Sequence, residues 1–187
     1  MKTMMNKCVR SILAAALAIL LLAGAAVLPT EASAAGYLHN GRTFTVNSDQ
    51  YLDAFFEAMG DEAIFYTADL VEGLSDSGYL FYDMHDEDGN STMTLHIYNN
   101  WETKKVEAVR LDFDPTRCTE QQVEDNLEIM LIAYEITNGK MNNDKWNYMT
   151  SEETFSETYD GYGFFGEIDG VEFDLTISED WISMIIE

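Results

Sequence analysis

Two Asp-Gly dipeptides, Asp88-Gly89 and Asp169-Gly170, restrict this chain more than any other feature of its sequence. Asp-Gly favours two-residue hairpin turns of type I′, in which both central residues take positive φ. A turn centred on the first pair sets Met84 opposite Met93, Tyr82 opposite Leu95 and Leu80 opposite Ile97. Those six side chains share one face, so turn chemistry and apolar alternation demand the same register. Around the second pair, Ile168 faces Val171, Gly166 faces Phe173 and Phe164 faces Leu175. Strands joined this closely pair antiparallel.

Helical patterns precede each hairpin. Asn47 and Ser48 offer an N-cap, followed by Tyr51, Leu52, Phe55, Phe56 and Met59 at helical spacing and Gly60 as a stop. Thr119 with Gln122 forms a capping box, and the helix it starts runs to about Thr137, before Asn138-Gly139. The second half of that helix is apolar nearly all round, which predicts burial on most sides. Strands are expected at 63–71 and 106–113, with a turn at 99–104 between the first hairpin and the second of these strands. The polar stretch 139–160 reads as a loop, and one of that length is functional or mobile. Trp181 to Ile186 reads as a last strand or a docked turn. The expected fold is α+β, an antiparallel β-sheet built of hairpins with two helices packed on one face. Helix then hairpin occurs twice, in an acidic chain. That order resembles the β-lactamase inhibitor proteins, which are small secreted α+β binding modules; the resemblance carries no site residue across.

The first 34 residues read as a cleavable signal peptide. Lys2, Lys7 and Arg10 precede an apolar run from Ile12 to Leu28, Pro29 breaks it, and Ala32-Ser33-Ala34 supplies the small-x-small site. Cleavage is expected between Ala34 and Ala35, followed by a flexible segment at 35–42 and a single acidic domain at 43–187. No later apolar run is long enough to suggest a span, so no membrane association is expected after cleavage. The expected location is extracellular, or periplasmic where an outer membrane exists. Cys8 leaves with the leader, and Cys118 alone cannot form an internal disulfide.

Removing Lys2, Lys7, Arg10 and Glu31 takes the net charge from −24 to −26, with seven basic residues left against 33 acidic ones. Nucleic acid is excluded as a partner, since phosphate binding needs a basic footprint. A cationic partner, divalent ions or plain solubility suit the balance.

Four aromatic positions stand out. If Leu80, Tyr82 and Met84 face the core, then Tyr79, Phe81, His96 and Tyr98 point the other way, forming a candidate binding patch unless another element such as the C-terminal segment covers it. Asp86, Asp88 and Asn90 could hold a weak, irregular calcium site, but the loop fails the EF-hand pattern, and turn chemistry explains the same residues. Glu167 opposite Glu172 sets like charges across a hairpin, which is unfavourable. No catalytic motif is present: there is no nucleophile elbow, no phosphate-cradling glycine loop and no zinc-ligand spacing. The sequence leads first to a secreted or envelope-associated module that binds a protein or glycan through the aromatic face or the 139–160 loop. A calcium-responsive exported protein and a hydrolase with an unmarked carboxylate site are the alternatives.

Overall fold

A computed structural model describes residues 38–60, 67–74, 78–86, 88–149, 151, 154–157 and 161–187. The leader and the Ala34–Ala35 site lie outside them. Helix α1 is Ser48–Met59, followed by strands β1 (Thr67–Leu74), β2 (Tyr79–His85), β3 (Ser91–Asn99) and β4 (Val106–Phe113). Helices α2 (Glu120–Asn138) and α3 (Asn143–Met149) come next, then β5 (Phe155–Glu157), β6 (Tyr162–Ile168), β7 (Val171–Ile177) and β8 (Ile182–Ile186). All eight strands form one antiparallel sheet in the order β1-β2-β3-β4-β8-β7-β6-β5. The chain thus lays down a helix and a four-strand meander, then repeats the plan, and the two meanders meet at β4 and β8.

Both long helices start where side-chain caps satisfy their free N–H groups. Asn47 accepts from the Gln50 backbone at 2.9 Å and Gln50 returns the bond at 3.1 Å, while Thr119 and Gln122 do the same for α2. All three described α-helices pack on one face of the sheet. Tyr51 and Phe55 of α1, Ile129, Met130 and Ala133 of α2, and Met149 of α3 join one core with Leu95, Leu111, Phe164, Phe173 and Met184. Each fully buried aliphatic side chain contributes about 1.5–3 kcal/mol. Two buried asparagines fix α2 across the seam. Asn126 donates to the Thr92 carbonyl at 2.9 Å in the first meander, and Asn138 donates to the Ile168 carbonyl at 2.9 Å in the second. Lys145 of α3 adds a bond to the Asn138 carbonyl at the end of α2 and an ion pair with Asp169 at 2.7 Å.

The hairpin registers match expectation at all six pairs. Asp169 and Gly170 both have positive φ, as a type I′ turn requires. The first turn differs. The Asp86 N–H bonds the Asn90 carbonyl, so the turn closes one residue earlier than a two-residue loop, and a register shift between Met84 and His85 restores the core pairing. The cause is the Asp86 carboxylate, which accepts from Asp88 N–H, Asn90 N–H and the Asn90 amide and draws the turn around itself.

Other expectations need correction. Residues 63–66 of the first expected strand lie outside the described residues, and from Thr67 the strand runs to Leu74, beyond the expected end at Val71. The 139–160 stretch contains α3 and β5, so three helices rather than two pack on the sheet. The segment expected to be loose, 35–42, is docked where it is described: Leu38 and His39 are buried, Leu38 N–H bonds the Ile136 carbonyl, and Gly41 packs against Gly170. The C-terminal segment is a central strand, with Ile182, Met184 and Ile186 buried. It therefore lies in the sheet and not over its outer face.

Candidate binding face

With the helices on one side, alternation along each strand builds the other side row by row. One row runs Phe81, His96, Arg110, Ile185, Asp174, Phe165 across six adjacent strands. A second runs Asp83, Thr94, Asp112, Ser183, Thr176, Gly163. A third begins with Tyr79, Tyr98 and Ala108 and ends with Glu187, Glu172 and Glu167. The predicted residues Tyr79, Phe81, His96 and Tyr98 are therefore brought together as one patch. Their rings touch in sequence: Phe81 to His96 at 4.8 Å, His96 to Tyr79 at 5.9 Å and Tyr79 to Tyr98 at 5.3 Å between centroids.

A polar relay beneath the patch fixes His96. Tyr79 Oη lies 2.7 Å from His96 Nδ1, and His96 Nε2 lies 3.3 Å from Asp112 Oδ2. These contacts are met when Tyr79 donates to Nδ1 and Nε2–H points to the carboxylate. Asp112 is only 3% exposed; its Oδ1 accepts from Thr94 at 2.8 Å and its Oδ2 is 2.8 Å from Arg110 Nε. Burial pushes the Asp112 carboxyl up, but hydrogen bonds from His96 and Thr94 and the Arg110 charge outweigh it and hold it below the usual carboxylate range. Arg110 in turn lies under Trp181, its guanidinium carbon 5.6 Å from the ring centroid. The relay pre-orders the aromatic patch, which lowers the entropy a partner must overcome on binding.

Arg110, Asp112, Phe165 and Trp181 belong to this face and were not singled out from the sequence. Alternation with Val109, Leu111, Phe113 and Phe164 carries the signal for the first three. Trp181 depends on β8 pairing with β4, which local sequence does not encode. Phe165 is 52% exposed and Trp181 39% exposed. The Phe165 ring lies over Gly163, where an added Cβ would come within 2.7 Å of it. At one end of the face, a groove of about 1070 Å³ opens between the 41–43 segment, the turn after β3 and the β6–β7 hairpin, over Ala108 and Ile185.

The acidic half has different electrostatics. Glu167 pairs with Glu172 across the hairpin, and Glu172 exchanges both backbone bonds with Glu187. Burial and the neighbouring Glu172 push the Asp174 carboxyl up; burial, Glu172, Asp174 and Glu107 do the same to Glu187.

The calcium candidates are arranged as a turn. Both Asp86 carboxylate oxygens already accept protein N–H groups, including Gln122 Nε2 at 2.6 Å, and the Asn90 amide is turned toward that carboxylate. Asp88 is exposed and contributes its backbone N–H to Asp86. Among the described residues, no group of three or more His, Cys, Asp or Glu side chains is placed to hold a metal ion. Cys118 is half-buried beside the Thr92 carbonyl, and burial pushes its thiol up, the opposite of activation. No described helix is long and apolar enough to cross a membrane.

No family model, curated protein or solved structure matches this chain. The resemblance to β-lactamase inhibitor proteins thus rests on element order and acidity alone.

Proposed function

We propose that this protein is an exported binding module whose partner, a protein or a glycan, seats on the outer face of the eight-stranded sheet. The observation that carries the reading is the unequal covering of the two faces. All three described helices pack on one side, while the other presents Tyr79, Phe81, His96 and Tyr98 as a contiguous ring patch, with Phe165 and Trp181 exposed further along. A patch of half-buried rings beside the exposed Phe165 and Trp181 suits recognition, because amphipathic rings add contact area at little entropic cost. Export is supported by the charged start, apolar run and Ala-Ser-Ala site of residues 1–34.

The test is substitution within the patch. Phe81→Ala and Tyr98→Ala are expected to abolish partner capture while each lowers stability by no more than about 1 kcal/mol. A drop in melting temperature as large as that from a core truncation, with capture retained, would make the rings structural and end the proposal. Sugar arrays run beside protein capture separate the two partner classes.

A further inference from the structure

The open face is divided by charge, and the division identifies its partner more narrowly. Glu167, Glu172 and Glu187 stand in one row on adjacent strands, with Asp174 beside them. Backbone pairing holds the row in place, so the side chains cannot separate as they would on a loop, and like charges so placed are destabilising. The described ion pairs join Asp83 with His85, Asp112 with His96 and Arg110, and Asp169 with Lys145, and none includes the row. Apolar surface lies on the same face, with Phe165 at 52% exposure and the half-buried Ile185 each two residues along the strand from the row, and Trp181 at 39% at the other end of β8. The adjoining groove of about 1070 Å³, lined by Arg42 and Lys105 as well as by the three glutamates, gives a chain segment room to enter beside the row, and neither of those two cations forms a described ion pair with it.

We infer that the outer face takes an extended segment of a cationic protein, with a lysine or arginine seated among Glu167, Glu172 and Glu187 and apolar or aromatic neighbours against Phe165 and Trp181. The inference rests on the outer face being the binding surface. Charge complementarity selects the occupant: an incoming ammonium or guanidinium relieves repulsion already present in the free protein, so the net cost of desolvating the carboxylates falls. The charge of −26 expected after leader removal steers such a partner and repels an acidic one. A neutral glycan can donate hydroxyls to the row but brings no charge to offset it.

The probes are a hexapeptide of alternating tryptophan and lysine and the same peptide with glutamine for lysine, titrated calorimetrically into the intact chain. The lysine peptide is expected to bind about tenfold more tightly at low salt, an advantage that shrinks severalfold as ionic strength rises from about 0.01 to about 0.15 M. Glu167→Gln with Glu172→Gln should remove most of that advantage. Asp53→Asn with Glu57→Gln removes the same charge from exposed positions of α1 and should leave it intact. Equal loss in the two double variants would make the attraction a property of total charge and overturn the inference. Equal binding of both peptides, weakened alike by Phe81→Ala, would also overturn it while leaving the outer face as the binding surface. Melting curves of both variants establish folding, and the row variant should melt no lower than the parent.

Discussion

The β1–β4 and β5–β8 meanders share a plan on the helix side and differ on the other. Both bury alternate apolar side chains in a single core, with Leu95 and Leu111 on one side of the seam and Phe173 and Met184 on the other. On the outer side, the first meander pairs the buried Asp112 with Arg110 and His96 and bonds it to Thr94, beneath a patch of rings. The second meander sets Glu167, Glu172, Glu187 and Asp174 beside one another. The same backbone thus carries one outer half whose buried carboxylate is ion-paired and one whose carboxylates share no described ion pair. Packing fixes the shared side; the divergent side is free to serve recognition.

The sharpest break is between neighbours in one strand. Phe164 and Phe165 are adjacent in β6, but Phe164 is fully buried and Phe165 is 52% exposed. Phe164→Ala should cost about 3–5 kcal/mol and Phe165→Ala well under about 1 kcal/mol in denaturant unfolding. Similar losses would mean that the outer face is also core. Asp112→Ala should come next, at about 2 kcal/mol, because it strands His96 and a partly exposed Arg110. A change near zero would show the relay to be dispensable.

Acid titration should separate the halves by sign. Asp112 and Asp86 have lowered carboxyl values, so their stabilisation is present above the usual carboxylate range and is lost as pH falls through their folded values. Asp174 and Glu187 have raised values, so they disfavour folding at neutral pH and stability rises as pH falls through that raised range. Burial lowers the His39 value, so its protonation costs stability in the same window; in a His39→Gln background, which removes that cost, melting temperature should therefore climb slightly on mild acidification and fall below the normal carboxylate range. A monotonic fall from neutrality would contradict the repulsive account of the second half. Glu172→Gln should give the smallest effect, a gain of a few tenths of a kcal/mol at neutral pH and low salt together with a smaller rise on acidification. A loss of stability would show that Glu172 has an attractive partner.

Much of this was legible because local chemistry and hydrophobic period agree. The N-cap of α1, the capping box of α2, the six hairpin pairs and the four-ring patch all follow from positions close in sequence. Less legible was what depends on distant partners. Asp86 closes the first turn early because its carboxylate wraps the turn and bonds Gln122, 36 residues on. Trp181 to Ile186 carries no mark of lying at the centre of the sheet; that follows from β4 on one side and β7 on the other. The acidic row was only partly readable, since Glu187 joins Glu167 and Glu172 through β8. The 35–42 segment reads as flexible, but its described part docks on α2 and against Gly170.

The central claim is that partners meet the outer face and not the helices. Its most direct test is a photo-crosslinking residue placed singly at Tyr98, Phe165, Ala58 or Gln121 in cells that export the chain. Adducts of one discrete mass are expected from Tyr98 and Phe165 on the sheet, and none from the exposed helix positions Ala58 and Gln121. Adducts from the helix positions with none from the sheet would place recognition on the opposite side of the molecule.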